Sequence, residues 1–191
     1  MRQIILASIS PRRKFLLSLL HLKFKVVDSQ YEEVMHQHLP HQRLVQFLAL
    51  GKARAAAKKY PNAIIVAADT IVSLGGRAIG KPKTKQEAYE MIKTFSDKKT
   101  HYAVSGAVVL DAKTHRVFTT ADTVKIYFKK LSKQEILNYV DSGEAMDKAG
   151  GYGPLGRGLN LIQKIEGDYT TAIGLPMGFV VSALCQLGIK V

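Results

Sequence analysis

The chain has 191 residues, 47% of them hydrophobic, with 28 Lys and Arg against 15 Asp and Glu, a formal net charge of +13. That length fits one domain or one two-lobed unit with a sizeable core, and no apolar run reaches the ~18 residues a membrane span requires. The positive excess points to anionic partners: nucleic acid, acidic surfaces or phosphorylated small molecules. It is dispersed, with no Arg-rich tail and no aromatic-interleaved basic run, which favours a phosphate-handling site over a dedicated nucleic-acid module.

Arginines interrupt the apolar N-terminal stretch, so a signal-peptide pattern is not expected. The single cysteine, Cys185, excludes an internal disulfide and fits a reducing cytoplasm. Its neighbours Val181, Ala183 and Leu184 give it the reading of a small core residue.

In chain order, Ile4–Leu6 reads as a short buried strand. Ser10 as N-cap and Pro11 in the first turn open a helix, and Phe15, Leu16, Leu19 and Leu20 recur at helical spacing as its core face. FKVV at 24–27 reads as a strand, and a helix covers about 39–59. NAIIVAAD at 62–69 is a buried strand, and IVSL with the Gly75-Gly76 turn predicts a hairpin back to RAIG. Thr84 with Glu87 and Ser132 with Glu135 have capping-box spacing, so a helix starts at each. Between them HYAVSGAVVL and VFTTADTVKIYF form a strand pair around a polar turn. A glycine-rich loop fills 143–158, LNLIQKI and YTTAIGL read as a further strand pair, and a last helix begins at Pro176. This order predicts a mixed α/β sheet flanked by helices, not a doubly wound parallel fold.

Several residues break the local pattern. Arg12 and Arg13 sit beside the positive end of a helix dipole, where a cation costs roughly 0.3–1 kcal/mol. Either they form an anion site with the free first-turn amides or they are a solvated basic turn. On a helical wheel, Val45, Leu48, Ala49 and Ala56 form one face of the second helix, and Lys52 points out of its middle. Such a lysine either snorkels to an edge or pairs with an anion. Asp69 ends the buried strand just before Thr70; it is a turn former or a carboxylate that caps, pairs or binds a metal. Lys81 is held in the stiff turn GKP, and Glu33 adds acid near the second strand. Cations together with carboxylates able to hold a hard divalent ion are what nucleotide phosphate chemistry needs. The chain has no P-loop. The six histidines show no HExxH or other metal spacing and read mostly as loop or surface residues.

Taken together, ASISPRR, YEE at 31–33, KARA at 52–55, AADTIV at 67–72, GKP at 80–82, SGEAMDKAGGYG at 142–153 and GDYTTAIGLPM at 167–177 resemble, in order, the Maf family. These are nucleoside triphosphate pyrophosphatases also discussed as septum-formation proteins. The resemblance implies one domain over 1–191, with a mixed α/β fold similar to the inosine-triphosphate pyrophosphatases: an elongated sheet, two lobes and a central cleft. It implies hydrolysis of a nucleoside triphosphate to monophosphate and pyrophosphate, dependent on a divalent cation (Mg²⁺, Mn²⁺ or Co²⁺), and a homodimer. Asp69 matches the proton acceptor that activates water and, with Glu33, the metal-binding acids. Ser8, Arg12, Lys52 and Lys81 match substrate and phosphate positions, and Arg13 and Thr70 lie where the family reads the nucleotide. Members acting on dTTP and UTP read AYGIQG in the glycine-rich loop; this chain reads GYGPLG, with Leu155 in place of the glutamine. Leucine offers neither the donor nor the acceptor of an amide, which leaves the base preference open between dTTP or UTP and a modified nucleotide. The alternative is a nucleic-acid-binding or division-regulating protein that uses its basic surface.

Overall fold

Residues 2–32 and 39–191 are described by the computed structural model. Its sheet has seven strands: β1 (Ile4–Leu6), β2 (Phe24–Val26), β3 (Ile64–Leu74), β4 (Arg77–Ile79), β5 (Thr100–Asp111), β6 (Val117–Phe128) and β7 (Ile162–Glu166). Their order is β2-β1-β3-β5-β6-β7, with β4 paired to β3. The helices are α1 (Pro11–Ser18), α2 (His41–Lys59), α3 (Lys85–Lys98), α4 (Lys133–Asp141), α5 (Tyr169–Ile173) and α6 (Met177–Gln186). The fold is therefore mixed α/β with flanking helices, as the alternation of patterns predicts.

The chain divides into two compact units. The first comprises 1–70, 105–122 and 174–191, and the second 71–104 and 123–173. In the first unit β1 runs parallel to both β2 and β3, with Leu6 opposite Val66. Odd-numbered strand residues Ile5, Ala7, Ile65 and Ala67 pack with Ala49, Ala53 and Ala56 of α2. Small residues let this helix come close. A Cβ on Gly106 would lie 2.6 Å from the Val45 backbone, so only glycine fits beneath the helix there. Arg2 and Asp111 form a bidentate ion pair, and Asp111 also accepts from the backbone N–H of Lys113 and Thr114. The Arg2 guanidinium holds the Asp111 carboxyl well below the usual carboxylate range.

In the second unit β3 turns back through Gly75 and Gly76, both at positive φ, and pairs antiparallel with β4 from Leu74 to Arg77. The hairpin is the one the paired glycines predict. Ser132 and Glu135 form a full capping box. Thr84 caps α3 through the Glu87 N–H, whereas the Glu87 carboxylate reaches the N–H of Lys83 instead. The core gathers Phe95, Phe128 and Tyr152 around a fully buried histidine, His101.

The structure corrects several of the sequence expectations, among them LNLIQKI, of which only Ile162–Glu166 is strand while Gly156–Leu161 forms a 3-10 helix. Asp69 does not end a strand: β3 runs on to Leu74, because Ile71 and Val72 are buried and Val72–Leu74 find a new partner in β4. YTTAI is the helix α5, not a strand. Asp168 accepts from the N–H of Thr170 and Thr171 and so starts a helix, while β7 pairs with β6. On α1 the buried residues are Leu16 and Leu17, and Phe15 and Leu19 are exposed. Among the described histidines, His101 is the exception to the mostly surface reading: its ring stacks on Phe95 in the core. Cys185 is exposed on α6, not packed in the core.

Candidate functional site

The first unit places its candidate residues just beyond the carboxyl end of β1 and in the middle of β3. Strand β1 leads through α1 to β2 on one side, and β2 returns through α2 to β3 on the other side of β1. Crossovers of fixed hand put the two helices on opposite faces and open a ligand-binding position where the connections diverge. Side chains alternate along β3, so Asp69 continues the α2-facing series of Ile65 and Ala67, and Thr70 faces the other way.

On the α2 face, Lys52 Nζ donates to Asp69 Oδ1 at 2.5 Å, and both side chains are 13% exposed. The wheel position that makes Lys52 anomalous is thus explained by a buried anion supplied by the protein itself. A buried carboxylate and ammonium tolerate desolvation only as a hydrogen-bonded pair.

On the other face a single guanidinium binds three oxygens. Arg13 Nε donates to the Gly174 carbonyl at 2.9 Å, Nη1 to Ser8 Oγ at 3.2 Å and Nη2 to Thr70 Oγ1 at 3.1 Å. Thr70 Oγ1 in turn lies 3.0 Å from Ser105 Oγ. Ser8 and Ser105 are buried. Gly174 has φ +120°, and a Cβ there would lie 2.9 Å from Thr70 Oγ1, so the carbonyl reaches Arg13 only from glycine. Ser105 and Gly174 are absent from the sequence-derived list. Their signals, a serine in a strand and a glycine before Leu175, are too ordinary to notice without the fold.

Ser10 precedes α1 as expected, but its side chain makes no capping bond. Its N–H donates to Ser8 Oγ at 3.3 Å. Arg12 is half-buried in the first turn beside these amides. A helix start with no side-chain cap and two guanidinium groups has the chemistry of an anion site.

The second unit holds Lys81 and Leu155. Lys81 is exposed in a turn fixed by the glycine-rich segment: the Gly150 N–H donates to the Gly80 carbonyl at 2.8 Å, and Gly151, at φ +73°, lies beside Pro82. Leu155 is half-buried in a segment held at both ends. The Tyr169 hydroxyl donates to the Pro154 carbonyl, and the Arg157 N–H donates to Glu144 Oε1 at 3.4 Å. Lys148 donates to the Glu144 carbonyl and to Asp147, which gives it a loop-holding role. The structure thus brings together Lys52 with Asp69, and Ser8 with Arg13 and Thr70. Lys81 and Leu155 belong to the other unit, and Glu33 lies outside the described residues.

Among the described residues no three His, Cys, Asp or Glu side chains cluster as a metal site. A hard divalent ion bound to a polyphosphate needs only one or two protein carboxylates, the phosphate oxygens and water supplying the rest. Asp69 fits the role of such a carboxylate.

A mixed sheet with an uncapped helix start, a guanidinium bound to two hydroxyls and a lysine–aspartate pair between α2 and the middle of β3 defines an anion-handling α/β protein. The chain belongs to the Maf-like protein family, which matches residues 3–187. It is 40% identical over 191 residues to a dTTP/UTP pyrophosphatase of Desulforamulus reducens, covering 100% of both chains. It is 39% identical to one of Geobacillus sp. (strain WCH70), covering 98% of this chain and 100% of that one. Among solved structures it is similar to a dITP/XTP pyrophosphatase of Mycobacterium abscessus, 18% identical with 97% of each chain covered and a TM-score of 0.45. It is also similar to the Staphylococcus aureus Ham1 protein, 15% identical over 68% of this chain and 73% of that one, with a TM-score of 0.48.

Proposed function

We infer that this chain is a nucleoside triphosphate pyrophosphatase. The family match and the full-length relatives named dTTP/UTP pyrophosphatase support the reaction class. The observation that carries the site assignment is the Lys52–Asp69 pair on one face of β3 with the Arg13 cluster at the next residue on the other face. In this reading residues 1–191 act as a single domain, a homodimer in the cytoplasm.

Asp69 takes the proton of a water whose oxygen attacks the α-phosphorus. The bond between that phosphorus and the α–β bridging oxygen breaks, and pyrophosphate leaves with the electron pair. Lys52 holds one carboxylate oxygen and so orients the base. Arg12, Ser8 and the α1 amides bind phosphate oxygens, and Lys81 adds a cation from its fixed turn. Arg13, anchored by Gly174, Ser8 and Thr70, reads the nucleotide beside Thr70. Asp69 and Glu33 would ligate Mg²⁺, Mn²⁺ or Co²⁺, which supplies charge neutralisation on the phosphates. Leu155 presents an apolar contact to the base, so amide-type selection of dTTP or UTP is weakened in favour of other bases, modified ones included.

The test is a panel of nucleoside triphosphates, dTTP, UTP and base-modified analogues among them, incubated with the protein and Mg²⁺ or Mn²⁺ while pyrophosphate is measured. Release that disappears with EDTA and with Asp69→Asn is expected. Absence of pyrophosphate from every nucleotide overturns the reading.

A further inference from the structure

The second unit contains fourteen Lys and Arg residues and nine Asp and Glu residues, a net charge of +5. That excess is not spread evenly. Lys93, Lys98, Lys99, Lys129 and Lys130 meet at one corner. Lys93 and Lys130 both pair with Asp97, and the Phe128 N–H donates to the Lys99 carbonyl, which brings the Lys98–Lys99 turn beside Lys129. The adjoining solvent face of the sheet adds Lys125 and Lys164. Against these seven cations stand Asp97, Glu166 and, near Lys129, Glu135, so this end of the sheet carries most of the unit's positive excess. Asp168, just beyond β7, is turned to the N–H groups and hydroxyls of Thr170 and Thr171.

The same face displays aromatic rings. Tyr127 stands opposite Lys164, and Lys125 opposite Glu166, in the β6–β7 register. The ammonium groups of Lys125 and Lys164 lie 4.9 and 5.5 Å from the Tyr127 ring centroid, and the Tyr127 hydroxyl donates to Glu166 at 3.0 Å. Tyr102, on the neighbouring strand β5, is 43% exposed. The other side of these strands is closed by the core residues Val124, Ile126 and Phe128. No aromatic-interleaved basic run exists in the sequence, yet strand pairing assembles one from positions 102, 125, 127 and 164.

We propose that this sheet face, with Tyr102, Lys125, Tyr127 and Lys164 and the lysine corner beside it, binds single-stranded nucleic acid. The lysines match a phosphate backbone. The exposed tyrosine surface suits unstacked bases, which a duplex keeps hidden and a lipid surface lacks. The surface lies outside the groups assigned to hydrolysis, so it stands or falls independently of the pyrophosphatase reading.

Fluorescence anisotropy of the full chain with 5′-labelled dT20 and U20 tests this, with a 20-base-pair duplex and phosphatidylglycerol vesicles as competitors. The expected results are binding to the single strands, a log–log salt slope of about −0.7 per neutralised phosphate, and weak competition by duplex and vesicles. Lys125→Ala/Lys164→Ala should weaken binding about tenfold and Tyr102→Ala about fivefold or more, with melting temperature and pyrophosphate release unchanged. Lys85→Ala/Lys133→Ala, in the charge-balanced part of the same unit, should bind as the unaltered chain does. Ultraviolet cross-linking of dT20 to the unaltered chain should label Tyr102 or Tyr127, which removes any dependence on how the variants fold. No binding at low salt, equal or stronger binding of duplex or vesicles, unaltered binding by both the lysine and tyrosine variants, or cross-links confined to other residues would each overturn the proposal.

Discussion

Lys52 in the middle of α2 donates to Asp69 in the middle of β3 at 2.5 Å, and each side chain is 13% exposed. Removing either partner strands the other charge in a desolvated position. Lys52→Met and Asp69→Leu should each destabilise the chain by about 2–4 kcal/mol, whereas the double substitution should recover most of that loss. Asp69→Asn, and likewise the double variant, should lower kcat by roughly 100-fold or more, since the proposed base is gone in both. Urea unfolding and pyrophosphate release on the same preparations separate the two effects: stability returns in the double variant and activity does not.

The three acceptors of Arg13 demand a planar fork. Arg13→Lys cannot satisfy the Gly174 carbonyl, Ser8 and Thr70 together, and should lower kcat/KM by about tenfold or more. Gly174→Ala should act through the same contacts, because its φ of +120° and the close Thr70 hydroxyl leave no place for a Cβ. A loss of about 1–3 kcal/mol in urea unfolding, with a rise in KM for the nucleotide, is the expected pair of readings.

His101 is enclosed by Phe95, Phe128 and Tyr152, and burial pushes its pKa down to about 4. The unfolded chain takes up the proton near pH 6.5, well before the folded one does. Stability is therefore complete above that pH and falls as the pH drops from about 6.5 towards 4. Linkage makes the loss roughly 2 kcal/mol at pH 5 relative to pH 7.5. Denaturant midpoints at the two pH values should show it, and His101→Gln should flatten the difference.

Arg2 and Asp111 tie the chain start to the end of β5. Because the Asp111 carboxyl is held below its ordinary range, this contribution is full above the unfolded carboxylate pKa and is lost only in stronger acid than the His101 effect. Asp111→Ala should cost about 2 kcal/mol, a figure lowered because the Arg2 side chain is 32% exposed. Thermal melting should register the loss at neutral pH, with KM for the nucleotide unchanged.

Elements governed by local chemistry were legible in the sequence: the Gly75-Gly76 hairpin, the Ser132 capping box, the apolar face of α2. Lys52 was visible as an anomaly, but its partner was not, since only the parallel pairing of β1 and β3 brings α2 over Asp69. The buried face of α1 differs from the expected one because two stripes fit so short a helix. Phe15 and Leu19 share one spacing, and Arg13, Leu16 and Leu17 share another; the polar bonds of Arg13 select the second. YTTAI looks like a strand until Asp168 caps it. Ser105 and Gly174 carry no sequence signal because their roles come from a neighbour far along the chain.

The change of partner along β3 has an evolutionary corollary. The strand leaves β1 at Val66 and joins β4 at Val72, and Asp69 and Thr70 lie in the interval. Gaining or losing one residue there would rotate every later side chain to the reverse surface and swap what Asp69 and Thr70 see. Apolar exchanges at Ala67, Ala68 or Ile71 are a matter of volume, but the length of this interval is a ruler that descent cannot cut or stretch.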